Sequence, residues 1–130
     1  MAHLFDIRVY YEDTDLAGIV YYANYLKFIE RARSEYVRAL GLDQGALQRE
    51  AGLVFAVRRI EADYLAPARF DDVVTVETRV RQVTGARIVL DQSVRRGAQA
   101  LFDATVTLVM LRADGQPARI PADIRRTMSQ

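Results

Sequence analysis

The chain holds 130 residues, 51% of them hydrophobic and 27% charged, with one histidine, no cysteine and a net charge of +1. This size and balance predict one soluble domain over residues 1–130, which buries roughly two-thirds of its unfolded surface and needs no covalent or metal staple. The lack of cysteine excludes a disulfide framework, a thiolate nucleophile and a Cys-based zinc site; the basic residues, scattered apart from Arg58-Arg59, Arg95-Arg96 and Arg125-Arg126, give no stripe for nucleic acid.

Residues 4–11 alternate, with Phe5, Ile7, Val9 and Tyr11 on one face, and read as a strand. The N-terminal stretch meets Asp6 too early for the apolar core of a signal peptide, and no later segment reaches the roughly 18 apolar residues of a membrane span. The cytoplasm is therefore the expected compartment. Residues 12–18 crowd Asp, Thr and Gly together as turns and helix entries do. From 24 to 40 the apolar residues Tyr25, Phe28, Ile29, Ala32, Tyr36, Val37 and Leu40 recur at spacings of three and four with charged residues between them. That pattern predicts an amphipathic helix about 25 Å long, ended by Gly41. A weaker helical stretch, 43–51, ends at Gly52.

Beyond it the period is two. Residues 54–64 form a strand broken by Pro67, and three further strands present Val74, Val76, Thr78 and Val80, then Ile88, Leu90, Gln92 and Val94, then Phe102, Ala104, Val106, Leu108 and Met110. Gly85, Gly97 and Asp114-Gly115 supply the turns, and the short connections predict an antiparallel meander. The whole is an α+β unit whose long helix covers one sheet face. Near the end of the last strand, Val106, Leu108 and Met110 oppose Val109 and Leu111, so both faces are expected to be buried, the second by another subunit. A homo-oligomer is the expectation.

Elimination narrows the chemistry. A Ser-His-Asp triad or a two-histidine zinc site needs histidines placed by the fold, and the single one, His3, stands at an end expected to fray. Neither GxxxxGK[ST] nor GxGxxG occurs. Carboxylate chemistry remains, with Glu12, Asp13 and Asp15 just ahead of the helix entry. A helix N-terminus offers free N–H donors and partial positive charge to an anion or a developing oxyanion. The same acids could simply cap the helix, and spacing alone does not choose between Asp13 and Asp15. Tyr10, Tyr11, Tyr21, Tyr22 and Tyr25 are expected chiefly as core or interface aromatics.

The run from Val9 to Asp15, continuing through Gly18-Ile19-Val20-Tyr21-Tyr22-Ala23-Asn24-Tyr25 and Glu30-Arg31-Ala32-Arg33, resembles the signature of the 4-hydroxybenzoyl-CoA thioesterase family. Within it the chain looks most like the acyl-CoA thioesterases associated with the Tol-Pal envelope system of Gram-negative bacteria. The segment from Tyr64 through Pro67 to Asp72 fits the same family. The resemblance implies a hotdog fold, one long helix wrapped by a five-stranded antiparallel sheet, with dimers joined edge to edge and often tetramers. It implies an acyl-CoA substrate and no cofactor or metal. The family's catalytic carboxylate matches Asp15 and its oxyanion-binding N–H matches Tyr22, with Gly18 and Val20 shaping the turn between them.

Tol-Pal-type members commonly carry histidine at the position of Tyr22, so here only a backbone donor is available. Arg59 and Arg87 match no motif for the coenzyme A phosphates. A thioester needs no strong general acid, because its leaving thiol has a pKa comparable to the roughly 8.5 of cysteine. A carboxylate can attack to form an anhydride or deprotonate water. The rival expectations are a hotdog hydratase, which would use a placed histidine, and a non-catalytic module that binds acyl-CoA or acyl carrier protein.

Overall fold

The three-and-four spacing does form one long helix, α1 (Asn24–Ala39), whose buried stripe is Tyr25, Phe28, Ile29, Ala32, Tyr36 and Val37. The computed structural model describes residues 2–130. Gly41 takes a φ of 83°, in the left-handed region where a side chain would be strained, and the chain turns off the helix there. A second helix, α2 (Gln44–Ala51), starts where the Asp43 carboxylate accepts the Ala46 N–H at 3.0 Å.

The strands are β1 (His3–Arg8), β2 (Leu53–Tyr64), β3 (Val73–Val83), β4 (Ile88–Arg96), β5 (Gln99–Arg112) and the two-residue β6 (Pro117–Ala118). They form one antiparallel sheet in the order β1-β3-β4-β5-β2, with β6 paired to β5. The expected wrapped architecture is present, with a sixth short strand added. The expected meander is correct only for β3, β4 and β5. Strand β2 does not neighbour β3; it pairs with β5 from Leu53↔Arg112 to Tyr64↔Phe102. Both edges of β3 are already taken, by β1 at Phe5↔Val76 and by β4 at Val76↔Val94. The chain therefore crosses from the β2 edge of the sheet to β3, beside the opposite edge strand β1, through residues 65–72.

Register shifts at Val57/Arg59, Val80/Gln82 and Val94/Arg95 interrupt the ladders. Such bulges increase bend and twist, which lets the sheet curl around α1. Phe28 and Ile29 pack there into a core with Val74, Val76, Ile88, Leu90, Phe102, Val106 and Met110. Two polar side chains, Thr78 and Gln92, share that space. Gln92, 1% exposed, donates to the Ile29 carbonyl at 2.9 Å and to Thr78 Oγ1 at 3.0 Å, and accepts from Arg33 at 3.0 Å. It is buried because it is satisfied.

The other sheet face is mostly polar, with ion pairs Arg79–Glu77 and Arg81–Asp91 and a Ser93–Asp103 hydrogen bond. Its apolar part is local. Val109 and Leu111 are half-buried along a groove of about 680 Å3 with Pro117, Ala118, Arg58 and Arg119. The apolar second side expected near the end of the last strand is present there, half-buried within the chain, while the rest of that face is polar. The tail also adds a helix absent from the expected elements, α3 (Ala122–Met128), which buries Ile124 and Met128. His3 does not fray: it lies in β1 opposite Thr78, with its ring 5.7 Å from that of Tyr36.

Candidate active site

Strand β1 stops at Arg8 because Tyr10 opens a 3-10 turn over Tyr11–Asp13. The Asp13 carboxylate accepts the Tyr10 N–H at 2.8 Å, and the Asp13 carbonyl accepts the Tyr21 N–H at 2.9 Å and Asn24 Nδ2 at 2.9 Å. Asp13 is thus a buried brace, 8% exposed. Asp13 and Asp15 would share a face only if the strand persisted; the turn separates them and leaves Asp15 in solvent.

Asp15 sits at the mouth of a small loop. Its N–H bonds to the Ile19 carbonyl at 2.9 Å, its carbonyl accepts the Gly18 N–H at 3.0 Å, and Oδ1 accepts the Ala17 N–H at 2.9 Å. Oδ2 takes no hydrogen bond among the described residues. Gly18 turns the loop at a φ of 78°, with nothing within 4 Å of where a β-carbon would stand, so glycine is required by the backbone and not by crowding. Val20 is buried and anchors the return strand, with its N–H donating to the Ala68 carbonyl at 2.8 Å.

Residues 65–72 frame this loop. Ala68 N–H donates to the Tyr25 hydroxyl at 2.9 Å, tying the frame to α1. Val9 N–H bonds to the Asp72 carbonyl at 2.8 Å and Asp71 N–H to the Val9 carbonyl at 2.9 Å, tying it to the end of β1. From β4, Arg96 reaches the Asp72 carboxylate at 2.8 Å and the Pro67 carbonyl at 3.3 Å. Burial alone would push the Asp72 carboxyl up. The Arg69 N–H and the Arg96 guanidinium outweigh it and hold the group below its ordinary value.

Neither acid caps α1. Ala23 is the N-cap, no side chain bonds to the free N–H groups, and the first turn carries no acid. The Asn24 N–H is bound to the Tyr21 carbonyl at 2.8 Å, whereas the Tyr22 N–H has no partner among the described residues. An uncapped helix start retains its positive end and its donors. Tyr22 itself is 61% exposed. Its ring lies 4.9 Å from Tyr21 and 6.1 Å from Tyr64, and its carbonyl accepts the Tyr64 hydroxyl at 3.0 Å.

Asp15, Gly18, Val20 and Tyr22 therefore belong to one braced loop leading into the positive end of α1. Of the tyrosines, Tyr25 is core, stacked on Phe102 at 5.0 Å, while Tyr10, Tyr11, Tyr21 and Tyr22 are exposed. Sequence reasoning did not single out Tyr64, Ala68, Asp72 or Arg96 as parts of this frame. Their signal was the run from Tyr64 to Asp72, noted only as a likeness. His3 stands at the far end of β1 from the loop, five strand steps or about 16 Å from Arg8. It supplies no proton relay to Asp15 of the same chain.

The profile of the family described as the Thioesterase superfamily matches residues 17–114. An acyl-CoA thioesterase, YbgC, of Haemophilus influenzae is 42% identical over 122 residues, covering 93% of this chain and 90% of that protein. The crystal structure of a probable thioesterase from Bartonella henselae superposes with a TM-score of 0.88 at 37% identity, covering 93% of this chain and all of that one (100%). A 4-hydroxybenzoyl-CoA thioesterase mutant solved with 4-hydroxybenzoyl-CoA superposes with a TM-score of 0.90 at 26% identity, covering 98% of each chain. With the wrapped-helix architecture above, these matches show that the chain is a hotdog-fold enzyme belonging to the thioesterase superfamily.

Proposed function

We propose that the chain hydrolyses an acyl-CoA thioester to the free acid and coenzyme A, with Asp15 as nucleophile or general base and the Tyr22 N–H at the start of α1 as oxyanion donor. One observation carries the reading: the loop that presents a solvent-facing Asp15 carboxylate with a free oxygen runs on to a Tyr22 N–H that has no partner among the described residues, just before the uncapped start of α1. The acyl-CoA class follows the Haemophilus relative, which is named for that activity.

Two routes use the same groups. In one, an Asp15 oxygen attacks the thioester carbon, the carbonyl oxygen gathers charge at the Tyr22 N–H, and the coenzyme A thiolate leaves an acyl anhydride that water then splits. In the other, Asp15 takes a proton from water, and the hydroxide formed attacks the same carbon and expels the thiolate. Both develop negative charge at the positive end of α1, where a preorganised donor is worth roughly 3 kcal/mol. Gly18 and Val20 set the loop that brings acid and donor together.

The reading extends to assembly and place. The outer edge of β2 has no strand beside it, and Tyr11, Leu16, Tyr22, Leu65 and Phe70 expose apolar surface around the loop. An unpaired edge and exposed apolar side chains near it are features that a second copy would cover. The enzyme then works as a homodimer or a homotetramer built from such dimers. No helix among the described residues is long and apolar enough to cross a membrane. A cytoplasmic enzyme serving the Tol-Pal envelope system is the setting this reading assigns.

The test is release of free thiol, followed with a chromogenic disulfide reagent, across short, long and aromatic acyl-CoAs. At least one member of the panel should be turned over. Silence across the panel would favour a module that binds acyl-CoA or acyl carrier protein without cleaving it, and water addition to an enoyl-CoA would favour a hydratase.

A further inference from the structure

The Asp15 loop is joined to residues 65–72 by a peptide that is bonded at both ends. The carbonyl of the Ile19–Val20 peptide accepts the Asp15 N–H at 2.9 Å, and its N–H donates to the Ala68 carbonyl at 2.8 Å. The Ala68–Arg69 peptide continues in the same manner: its carbonyl takes the Val20 N–H, and its N–H donates to Asp72 Oδ2 at 2.9 Å. Thr14 bridges Val20 and Ile19 bridges Arg69, both antiparallel, so three short legs lie side by side. Each peptide is planar, so fixing its N–H also sets the direction of its carbonyl. Two peptide planes thus run from the Asp15 backbone to the Asp72 carboxylate without a break.

The far end of this ladder is rooted in the sheet. The Asp72 carbonyl accepts the Val9 N–H at 2.8 Å just past β1, and Oδ2 also accepts Arg96 Nη1 of β4 at 2.8 Å. The same nitrogen donates to the Pro67 carbonyl at 3.3 Å. Asp72 Oδ1 takes no hydrogen bond among the described residues, so one oxygen makes both side-chain bonds. At the near end the hold reaches the acid itself, because the Asp15 N–H is fixed on one side of its α-carbon and Oδ1 accepts the Ala17 N–H at 2.9 Å on the other. Without the Asp72 carboxylate, the Arg69 N–H loses its partner and the Ala68–Arg69 peptide can tilt, carrying Val20, Ile19 and the Asp15 N–H with it.

We propose that Asp72 is a positioning residue: its carboxylate, held by Arg96, fixes the Ala68–Arg69 peptide and through it the backbone of Asp15, so that the Asp15 carboxylate meets the thioester in one place. The proposal rests on the reading of Asp15 as the catalytic carboxylate.

The experiment compares the full chain as wild type, Asp72→Ala, Asp72→Asn, Ile124→Ala and Asp15→Asn. Amide hydrogen exchange is followed by NMR, and kcat and KM by thiol release on an acyl-CoA that the wild type hydrolyses, well below every thermal midpoint. Asp72→Ala should speed exchange of the Asp15 and Val20 amides at least about tenfold and leave the Phe28 and Ile29 amides of α1 unchanged. It should lower kcat roughly tenfold with KM within about threefold, since a misplaced catalytic group costs turnover. Asp72→Asn keeps an oxygen for both bonds and should stay within about threefold of wild type in exchange and in kcat. Ile124→Ala is the control for general loosening: α3 sets Met128 beside Tyr36, about 18 Å along α1 from Asn24, so it should lower the midpoint and leave kcat unchanged. The proposal is overturned by unchanged exchange at Asp15, by an Asp72→Ala kcat within about twofold of wild type, or by an Ile124→Ala loss as large as that of Asp72→Ala. An Asp72→Asn as slow as Asp72→Ala also overturns it, assigning the effect to charge. In each of these cases an inactive Asp15→Asn leaves the parent reading standing. An active Asp15→Asn overturns the parent reading and the proposal with it.

Discussion

Asp13 and Asp15 stand two positions apart and meet opposite surroundings. One is turned inward by a 3-10 turn and accepts the Tyr10 and Tyr21 N–H groups and the Asn24 side-chain amide; the other's carboxylate holds a single loop bond and keeps an oxygen free. Elimination of histidine, cysteine and metal chemistry left a carboxylate, and the likeness selected Asp15. The spacing could not, because the turn that separates the two acids rests on a Tyr10–Asp13 contact outside the usual capping sequences. The structure gives the pair different expected lesions. Asp13→Asn should retain substantial activity and lose about 1–2 kcal/mol of stability, since it weakens a charge-assisted bond to a buried site; urea unfolding beside the thiol assay checks both.

The Arg96–Asp72 pair makes a second claim at this scale. Asp72 titrates lower folded than unfolded, so its contribution is full above the unfolded value of about 4 and is lost as pH falls through the folded one. Arg96→Met should therefore cost up to about 1 kcal/mol at pH 7, the pair being partly solvated, and that gap should narrow below about pH 4. An equal gap at pH 3 and pH 7 in urea titrations would count against the ion pair as the cause.

Among the elements, α1 was legible because seventeen residues of consistent spacing signal a helix more strongly than any local propensity. It ends where Gly41 predicts. The neighbour of β2 was not legible. Strand order depends on which edges are already occupied, and nothing in residues 54–64 reveals that β1 holds the free edge of β3. Helix α3 escaped for a different reason: at seven residues it offers one apolar pair, Ile124 and Met128, too little for a period. Since α1 positions the site by packing, its core contacts bear on activity only through folding. Phe28→Ala should cost about 3–5 kcal/mol by opening a cavity under the sheet. Calorimetry reads that loss, and a cost under about 1 kcal/mol would mean that the helix is held elsewhere.

At the scale of the whole molecule, the expected oligomer was argued from the two apolar sides near the end of the last strand, and the rest of that sheet face carries ion pairs. The free β2 edge and the exposed apolar side chains around the Asp15 loop add to that argument. Analytical ultracentrifugation at micromolar concentration should find a dimer or a tetramer, and a monomer would remove the edge-pairing reading. The measurement nearest the centre of the account is thiol release by Asp15→Asn, taken with its sedimentation and thermal midpoint. The predicted result is a folded, normally assembled protein with less than about a tenth of wild-type turnover, a loss above about 1.4 kcal/mol in the barrier. A folded variant that keeps more than that would contradict catalysis by this carboxylate.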